Sequence, residues 1–492
     1  MVGQDAFPDF PTPVVVHDTR GRAKWTVSIP HGYDFPLSTQ QYADMSGQCR
    51  EVAARARDIR HKGPIDQTQM NYDAFDDYYV DVQQAESSGM LPRPFTQTLQ
   101  AGPGRFVGMS AKDMRGKPVC KSSMTFVLES QDAGIGNTLM MLWTFYGLAK
   151  EEGRAFFIDD TRWAYGEYAD IFQLPPTPTC RPPPRHHMVP CPFQAQHLVI
   201  SGMTAKEIFP ALLAKHHRVS GTGDQVRDVW TLARTGYEAL FNLNKDDEKY
   251  VSTRIEDLKG KAKKDYVSPN TPVIGVHIRR GDRHPLEYQY HNTYIPAEVF
   301  LDNAQRATNA HFGETEESGA KHQFISVLAS DDPTVHTEPD FARMLLAQER
   351  IRLASKDDFE QAGQKRKSYM HRFVEEAFGW EGGFYAPMFW NLGVERKNNG
   401  ANAPDGVEVE NVNDEAKLMA PPSDQTLKLR NFVGRAYMMD LAVLAGASDS
   451  VVCAVSAMGC RLLGVMMDWE AGVGAGRWVN VDGQYGWAGI EW

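Results

Sequence analysis

Apolar residues along this chain gather in short runs that end abruptly in small or charged residues, with segments of helical period between them. TFVLES (125–130) and RAFFIDD (154–160) read as strands, because short runs rich in β-branched and aromatic residues bounded by turn signals suit a sheet. Between them, DAGIGN (132–137) is a turn and LMMLWTFYGLAK (139–150) is a helix with almost no polar face. A helix that apolar belongs beside a parallel sheet, buried on all sides. The alternation returns downstream with the strand VIGVHI (273–278), a helix over about 296–312 and the strand QFISVLAS (323–330). It then closes with a helix over Asn431–Ala445, the strand SVVCAV (450–455), the small-residue turn SAMGC (456–460) and a last helix.

The remaining segments set the organisation. Residues 1–105 are rich in Pro, Tyr and Asp and hold one helical candidate, Ser38–Arg60, with Ser38 placed to cap it. QLPPTPTCRPPPRHH (173–187) is too proline-rich for a regular element and marks a surface excursion. Residues 204–265 read as charged helices, and KKDYVSPNTP (263–272) as a domain boundary. The expected fold is therefore α/β: an N-terminal extension (1–105), an α/β domain with a glycine loop (106–265) and a second Rossmann-like domain (266–492). The second carries an insertion over about 350–428, and the two domains are expected to face a cleft.

Composition narrows the function classes. With 492 residues, 42% hydrophobic, the chain can build two large domains. Its net charge of −11 argues against nucleic acid as a partner, so any positive field must be local. No apolar run reaches the ~18 residues of a membrane span, and no membrane insertion is expected. The six cysteines form no CxxC pair and show no Cys/His spacing suited to zinc, so no metal is expected. On the residues alone, free thiols and disulfides both stay open.

Three loops follow strands. In DAGIGN, Gly134 and Gly136 would let backbone N–H groups approach an anion at a helix N-terminus, although a plain tight turn has the same sequence. The turn after SVVCAV offers Ser456 and further N–H groups. HIRRGDR (277–283) is the sharpest signal: paired guanidinium donors of Arg279 and Arg280 at a strand end, beside His277, match phosphate oxygens. A surface cluster of Arg280, Asp282 and Arg283 is the simpler alternative. Glu287 follows as a candidate general base, with Arg283 orienting it. Asp331 and Asp332 end a strand, where they would cap the next helix or hold sugar hydroxyls.

Together these segments resemble a group of fucosyltransferases: the core α-1,6-fucosyltransferase of N-glycans, the bacterial chitin-oligosaccharide fucosyltransferase and, more distantly, the protein O-fucosyltransferases. The resemblance rests on Gly134-Ile135-Gly136-Asn137, Trp163-Ala164-Tyr165, Cys180, His277 to Arg283, Glu287, Ser330 to Pro333, Asp440, Cys453, Ser456 and Cys460-Arg461, in that order. It implies a GT-B-like fold and an inverting transfer of L-fucose from GDP-fucose to a glycan hydroxyl, the 6-OH of GlcNAc foremost. Protein O-fucosylation and non-catalytic GDP-sugar binding are the alternatives. By resemblance, Arg279 neutralises the β-phosphate with the Gly134–Asn137 backbone and Ser456, and His277 and Asp440 hold guanine. Tyr165 would contact the ribose; Glu287 would take the acceptor proton; Asp331, Asp332 and Arg280 would organise that side of the pocket. Ala457 and Met458 stand where the family has a Ser-Gln pair, and Arg283 where it has lysine. Tyr385, Phe389 and Trp390 are either a stacking platform for acceptor sugars or core packing. The resemblance further implies disulfides Cys120–Cys180 and Cys453–Cys460, a metal-independent reaction without cofactor, and a luminal, Golgi-type compartment, with the cytoplasm as the alternative.

Overall fold

The fold is taken from a computed structural model, which describes residues 7–33, 35, 37–61, 75–93, 106–129, 134–221, 223–264, 271–280, 287–290, 293–312, 323–332, 334–351, 389 and 422–490. The N-terminal layer opens on a hairpin that the sequence reading did not anticipate. Strands β1 (Thr12–His17) and β2 (Ala23–Ser28) pair antiparallel, with Val14 opposite Thr26 and Val16 opposite Lys24. Asp18 closes the turn by accepting the N–H groups of Arg20 and Arg22, each at 2.9 Å, and Gly21 takes the left-handed conformation there (φ 71°). Helix α1 (Thr39–His61) starts where expected, because Ser38 and Gln41 cap each other reciprocally. The Gln41 N–H donates to Ser38 Oγ at 3.1 Å and the Ser38 N–H to Gln41 Oε1 at 2.8 Å. Two short helices follow, α2 (Val82–Ser87) and α3 (Ala111–Met114).

The first α/β half is a three-stranded parallel sheet with β3 (Ser123–Val127) between β4 (Ala155–Asp159) and β5 (His197–Ile200). Helix α4 (Ile135–Glu151) links β3 to β4 and is buried almost throughout, as its missing polar face requires. Helix α5 (Tyr168–Ile171) precedes the proline-rich excursion, and the charged segment resolves into α6 (Ala205–Ser220), α7 (Gln225–Leu240) and α8 (Lys245–Lys264). α4 and α7 cross at backbone contact. A Cβ on Gly147 would lie 2.3 Å from the Leu232 carbonyl oxygen, and one on Gly236 2.2 Å from that of Trp143.

The second half is a five-stranded sheet, parallel throughout. Its strands are β6 (Val273–Ile278), β7 (Ile325–Ser330), β8 (Leu345–Leu346), β9 (Ser450–Cys453) and β10 (Trp478–Asn480), in the order β10-β9-β6-β7-β8. Its helices are α9 (Ala297–Phe312), α10 (Asp424–Ala447) and α11 (Met458–Met466). Numbered within this half, the strand order is 5-4-1-2-3, the doubly wound order in which ligands sit beyond the strand C-termini where direction reverses. That reversal falls between β6 and β9. α10 begins seven residues before the expected Asn431, capped by Ser423, whose Oγ accepts the Thr426 N–H at 3.2 Å. Its first turn, DQTL, is too polar to show helical period.

The halves touch through helices. Trp230 on α7 donates to the Gly464 carbonyl on α11 (3.0 Å), and Arg435 on α10 makes a two-pronged ion pair with Asp247 on α8 (2.7 and 2.8 Å). Asp247 is 1% exposed at its side chain. Burial alone would raise its pKa, but the Arg435 and Asn244 hydrogen bonds hold it below the usual value. All six cysteines are paired. Cys120–Cys180 and Cys453–Cys460 form as the resemblance implied, and Cys49–Cys191 is additional. Such bonds form and persist in oxidising compartments. Among the described residues no helix is long and apolar enough to cross a membrane.

Candidate functional site

Local chemistry at the strand ends explains why three loops meet at the reversal point. The N-cap residues of α4 and α11 are Gly134 and Ala457, neither of which supplies a capping side chain. Both positive dipole ends lie in this region. The two starts are in contact: a Cβ on Gly136 would sit 2.9 Å from the Met458 Cβ. Tyr437 on α10 bridges them, its hydroxyl lying 3.6 Å from the same Gly136 position and 2.7 Å from the corresponding position on Gly459. Tyr437 escaped the sequence reading; it sits three residues before Asp440, on the same helix face.

The end of β6 forms the third wall. His277, 4% exposed, packs on Gly459, where an added Cβ would meet its Nε2 at 2.5 Å. Burial, helped by the positive charge of Arg279, pushes the imidazole down to about 4, so it is neutral at physiological pH. Its Nδ1 is buried without a hydrogen-bond partner among the described residues. Arg279 is half-buried and close enough to depress both His277 and the Tyr437 hydroxyl electrostatically, although burial dominates the latter and raises it. Glu287 is half-buried, and its neighbours are firmly anchored. The N–H groups of Tyr288 and Gln289 donate to the two oxygens of Asp482 (2.7 and 2.8 Å), and Arg461 bonds the Tyr288 hydroxyl. Arg461, 3% exposed, also holds the Val455 carbonyl (2.8 Å), so one guanidinium ties the Glu287 segment to the turn carrying Ser456. The Cys453–Cys460 bond and Asn480, which accepts the Val455 N–H at 2.9 Å, fix that turn from the other side. Asp482 and Asn480 carried no motif and gave no sequence signal.

Several expected site residues make structural contacts. Arg280 bonds Glu338 and stacks over Tyr294 (5.6 Å), while Asp331 accepts its backbone N–H (2.8 Å). Asp332, buried, accepts the N–H and hydroxyl of Thr334 at 2.8 and 2.6 Å; this is the capping alternative. Burial raises its pKa. Tyr165 is 2% exposed and packed against Gly434 and Phe389, whose ring centroid is 4.7 Å away. Phe389 is itself buried beneath Arg430, so this aromatic belongs to the core. Asp440 keeps a little accessible surface, yet its carboxyl is desolvated and raised well above the ordinary range, with Gln348 hydrogen-bonded to it. Ile135 is buried, and Asn137, Ser456 and Met458 are half-buried at the two helix starts. Asp282, Arg283, Tyr385 and Trp390 lie outside the described residues. No protein-family model and no curated protein matches this chain.

Proposed function

We propose that the chain is an inverting glycosyltransferase that moves L-fucose from GDP-fucose to a hydroxyl of a glycan, in a GT-B-like arrangement of its two halves and in a luminal compartment. One observation carries the reading: two helix starts, with Gly134 and Ala457 as N-cap residues, abut at Gly136 and Met458, beside Arg279 and at the reversal of a doubly wound sheet. Backbone N–H groups and a guanidinium in that array suit a diphosphate. Arg279 would take the β-phosphate, with the Gly134–Asn137 turn and Ser456 donating around it. Neutral His277 and the Tyr437 hydroxyl would line the nucleoside side. Asp440, whose carboxyl burial raises well above the ordinary range, would face the same side. Glu287 would take the proton of the acceptor hydroxyl as its oxygen bonds to the anomeric carbon, and the bond to the β-phosphate breaks to release GDP. Charge building on the departing diphosphate is met by Arg279 and the helix starts.

The choice of fucose and of a GlcNAc 6-OH comes from the motif resemblance. A transfer assay over a panel of GDP-sugars with N-glycans and chitooligosaccharides tests it, together with calorimetry of GDP. Arg279→Ala should weaken GDP by roughly 10- to 100-fold. Glu287→Gln should keep GDP binding and lose about 10²- to 10⁴-fold in turnover. GDP binding without transfer to any acceptor would favour the non-catalytic reading, which the Ala457-Met458 pair supports by removing two polar side chains from the turn.

A further inference from the structure

We propose that His31, Glu86 and His186 form a binding site for a zinc-class divalent ion, with His187 orienting the carboxylate. The three ligands come from separate segments. His31 follows β2, Glu86 lies in α2, and His186 lies in a single 3₁₀ turn (Arg185–His187) at the end of the proline-rich excursion. One donor atom from each residue lies within 4.8 Å of the other two. His186 Nε2 is 3.3 Å and His31 Nε2 3.6 Å from the same oxygen, Glu86 Oε1. Ligands held at 2.0–2.1 Å around a tetrahedral ion stand roughly 3.3 Å apart, so the two histidine-to-carboxylate separations are already near the spacing the ion demands.

Hydrogen bonding accounts for only part of this arrangement. His186 is 7% exposed, and its buried Nε2 lies at ion-pair distance from Glu86 Oε1 but makes no well-directed hydrogen bond among the described residues. His31 Nδ1 is likewise buried without a partner among the described residues, while its Nε2 lies 3.3 Å from the Pro92 carbonyl, the acceptor it would leave for an ion. Glu86 is 8% exposed, and its second oxygen is taken by His187 Nε2 at 2.8 Å. That outer contact fixes the carboxylate, as metal-ligating carboxylates usually require. The His186 ring stands edge-on between its neighbours, with centroids 4.2 Å from His31 and 4.3 Å from His187. Two imidazoles and one carboxylate suit zinc and its first-row neighbours rather than calcium or magnesium. Three protein ligands leave a position for water on the side of His31, the most accessible of the three. The ion would clamp the N-terminal layer to the first α/β half, in parallel with the Cys49–Cys191 bond five residues beyond His186. No motif reveals the site, because the ligands are far apart in the chain.

The test uses the full chain purified without chelator, its metal content measured by plasma mass spectrometry. The chelator-treated chain is then titrated with zinc chloride and, separately, with cobalt(II). One zinc per chain is expected, with cobalt absorption bands of a nitrogen- and oxygen-ligated ion lacking any thiolate charge transfer. His186→Ala and Glu86→Gln should each weaken zinc by at least tenfold and abolish the zinc-dependent rise in Tm, while GDP binding is unchanged. Substoichiometric zinc, or a His186→Ala chain that binds zinc as the natural one does, overturns the site. If His186→Ala does not fold, X-ray absorption of the cobalt form of the natural chain decides, since fewer than two imidazoles in the first shell excludes it.

Discussion

The two α/β halves use the same parts and are held together by different means. In the first, a glycine-to-backbone interlock joins α4 and α7, and two disulfides span 60 and 142 residues. In the second, the strand-end turns are held by buried polar clamps, Arg461, Asp482 and Asn480, plus one disulfide spanning 7 residues. The first half thus supplies a stiff wall ending in the glycine turn at Gly134–Gly136, and the second supplies charge and candidate chemistry. Rigidity without side chains on one side, and positioned side chains on the other, suits a ligand whose anionic part lies between two helix starts.

Glycine substitutions should separate these roles most strongly. Gly236→Val places side-chain atoms inside the Trp143 backbone, which cannot yield without parting two helices, so a loss above about 3 kcal/mol is expected and the chain should fail to accumulate as folded protein. Gly459→Ala first meets side-chain atoms, the His277 ring and the Tyr437 hydroxyl, rather than backbone. It should fold, with a cost of about 1–3 kcal/mol, and lose most of its GDP binding. Urea unfolding and calorimetry on both variants check the contrast; comparable stability losses would erase it.

Disulfides come next. From loop length alone, removing Cys49–Cys191 should cost about 5 kcal/mol, Cys120–Cys180 about 4 and Cys453–Cys460 about 2.5. Paired Cys→Ser variants followed by urea unfolding test the order. The short bond should show the largest effect on GDP affinity despite the smallest on stability.

Acid should act on both halves alike. His197 in β5 and His277 in β6 are each depressed to about 4 by burial, helped by nearby positive charge. The unfolded chain, at about 6.5, then binds more protons than the folded one between these values. Stability is therefore full above pH 6.5 and falls as pH drops toward 4, by up to ~3 kcal/mol for each histidine. His197→Gln and His277→Gln should each flatten part of that slope. A stability constant between pH 6.5 and 4.5 would contradict both burials.

Much of this architecture was legible because period and burial agree. VIGVHI is a strand over the residues expected, and α4 is buried because no face of it is polar. The β1–β2 hairpin was not legible, since TPVVVH and AKWTVS are short and sit among prolines and charges that mask alternation. At the site, motif residues of the β6 and β9 turns came together, and Asp332 and Arg280 also hold neighbouring residues. Those contacts depend on the position of Thr334 and Glu338, which the motif residues themselves do not reveal. Tyr437, Asp482 and Gln348 act through tertiary placement that no local pattern encodes.

The smallest prediction bears most directly on why α11 starts bare. Ala457 has the extended backbone of an N-cap (φ −87°, ψ 128°) but no side chain to serve as one. Ala457→Ser supplies a hydroxyl that can accept a first-turn N–H, which should stabilise the free chain by about 1 kcal/mol. If those N–H groups face the diphosphate, cap and ligand compete for the same donors. The gain in Tm should then shrink at saturating GDP, and GDP affinity should fall by roughly fivefold, the same free energy read from the other side of the cycle. A stabilised variant that binds GDP as tightly as the natural chain would mean that the turn points its donors elsewhere, leaving Arg279 and the Gly134–Asn137 backbone to hold the anion alone.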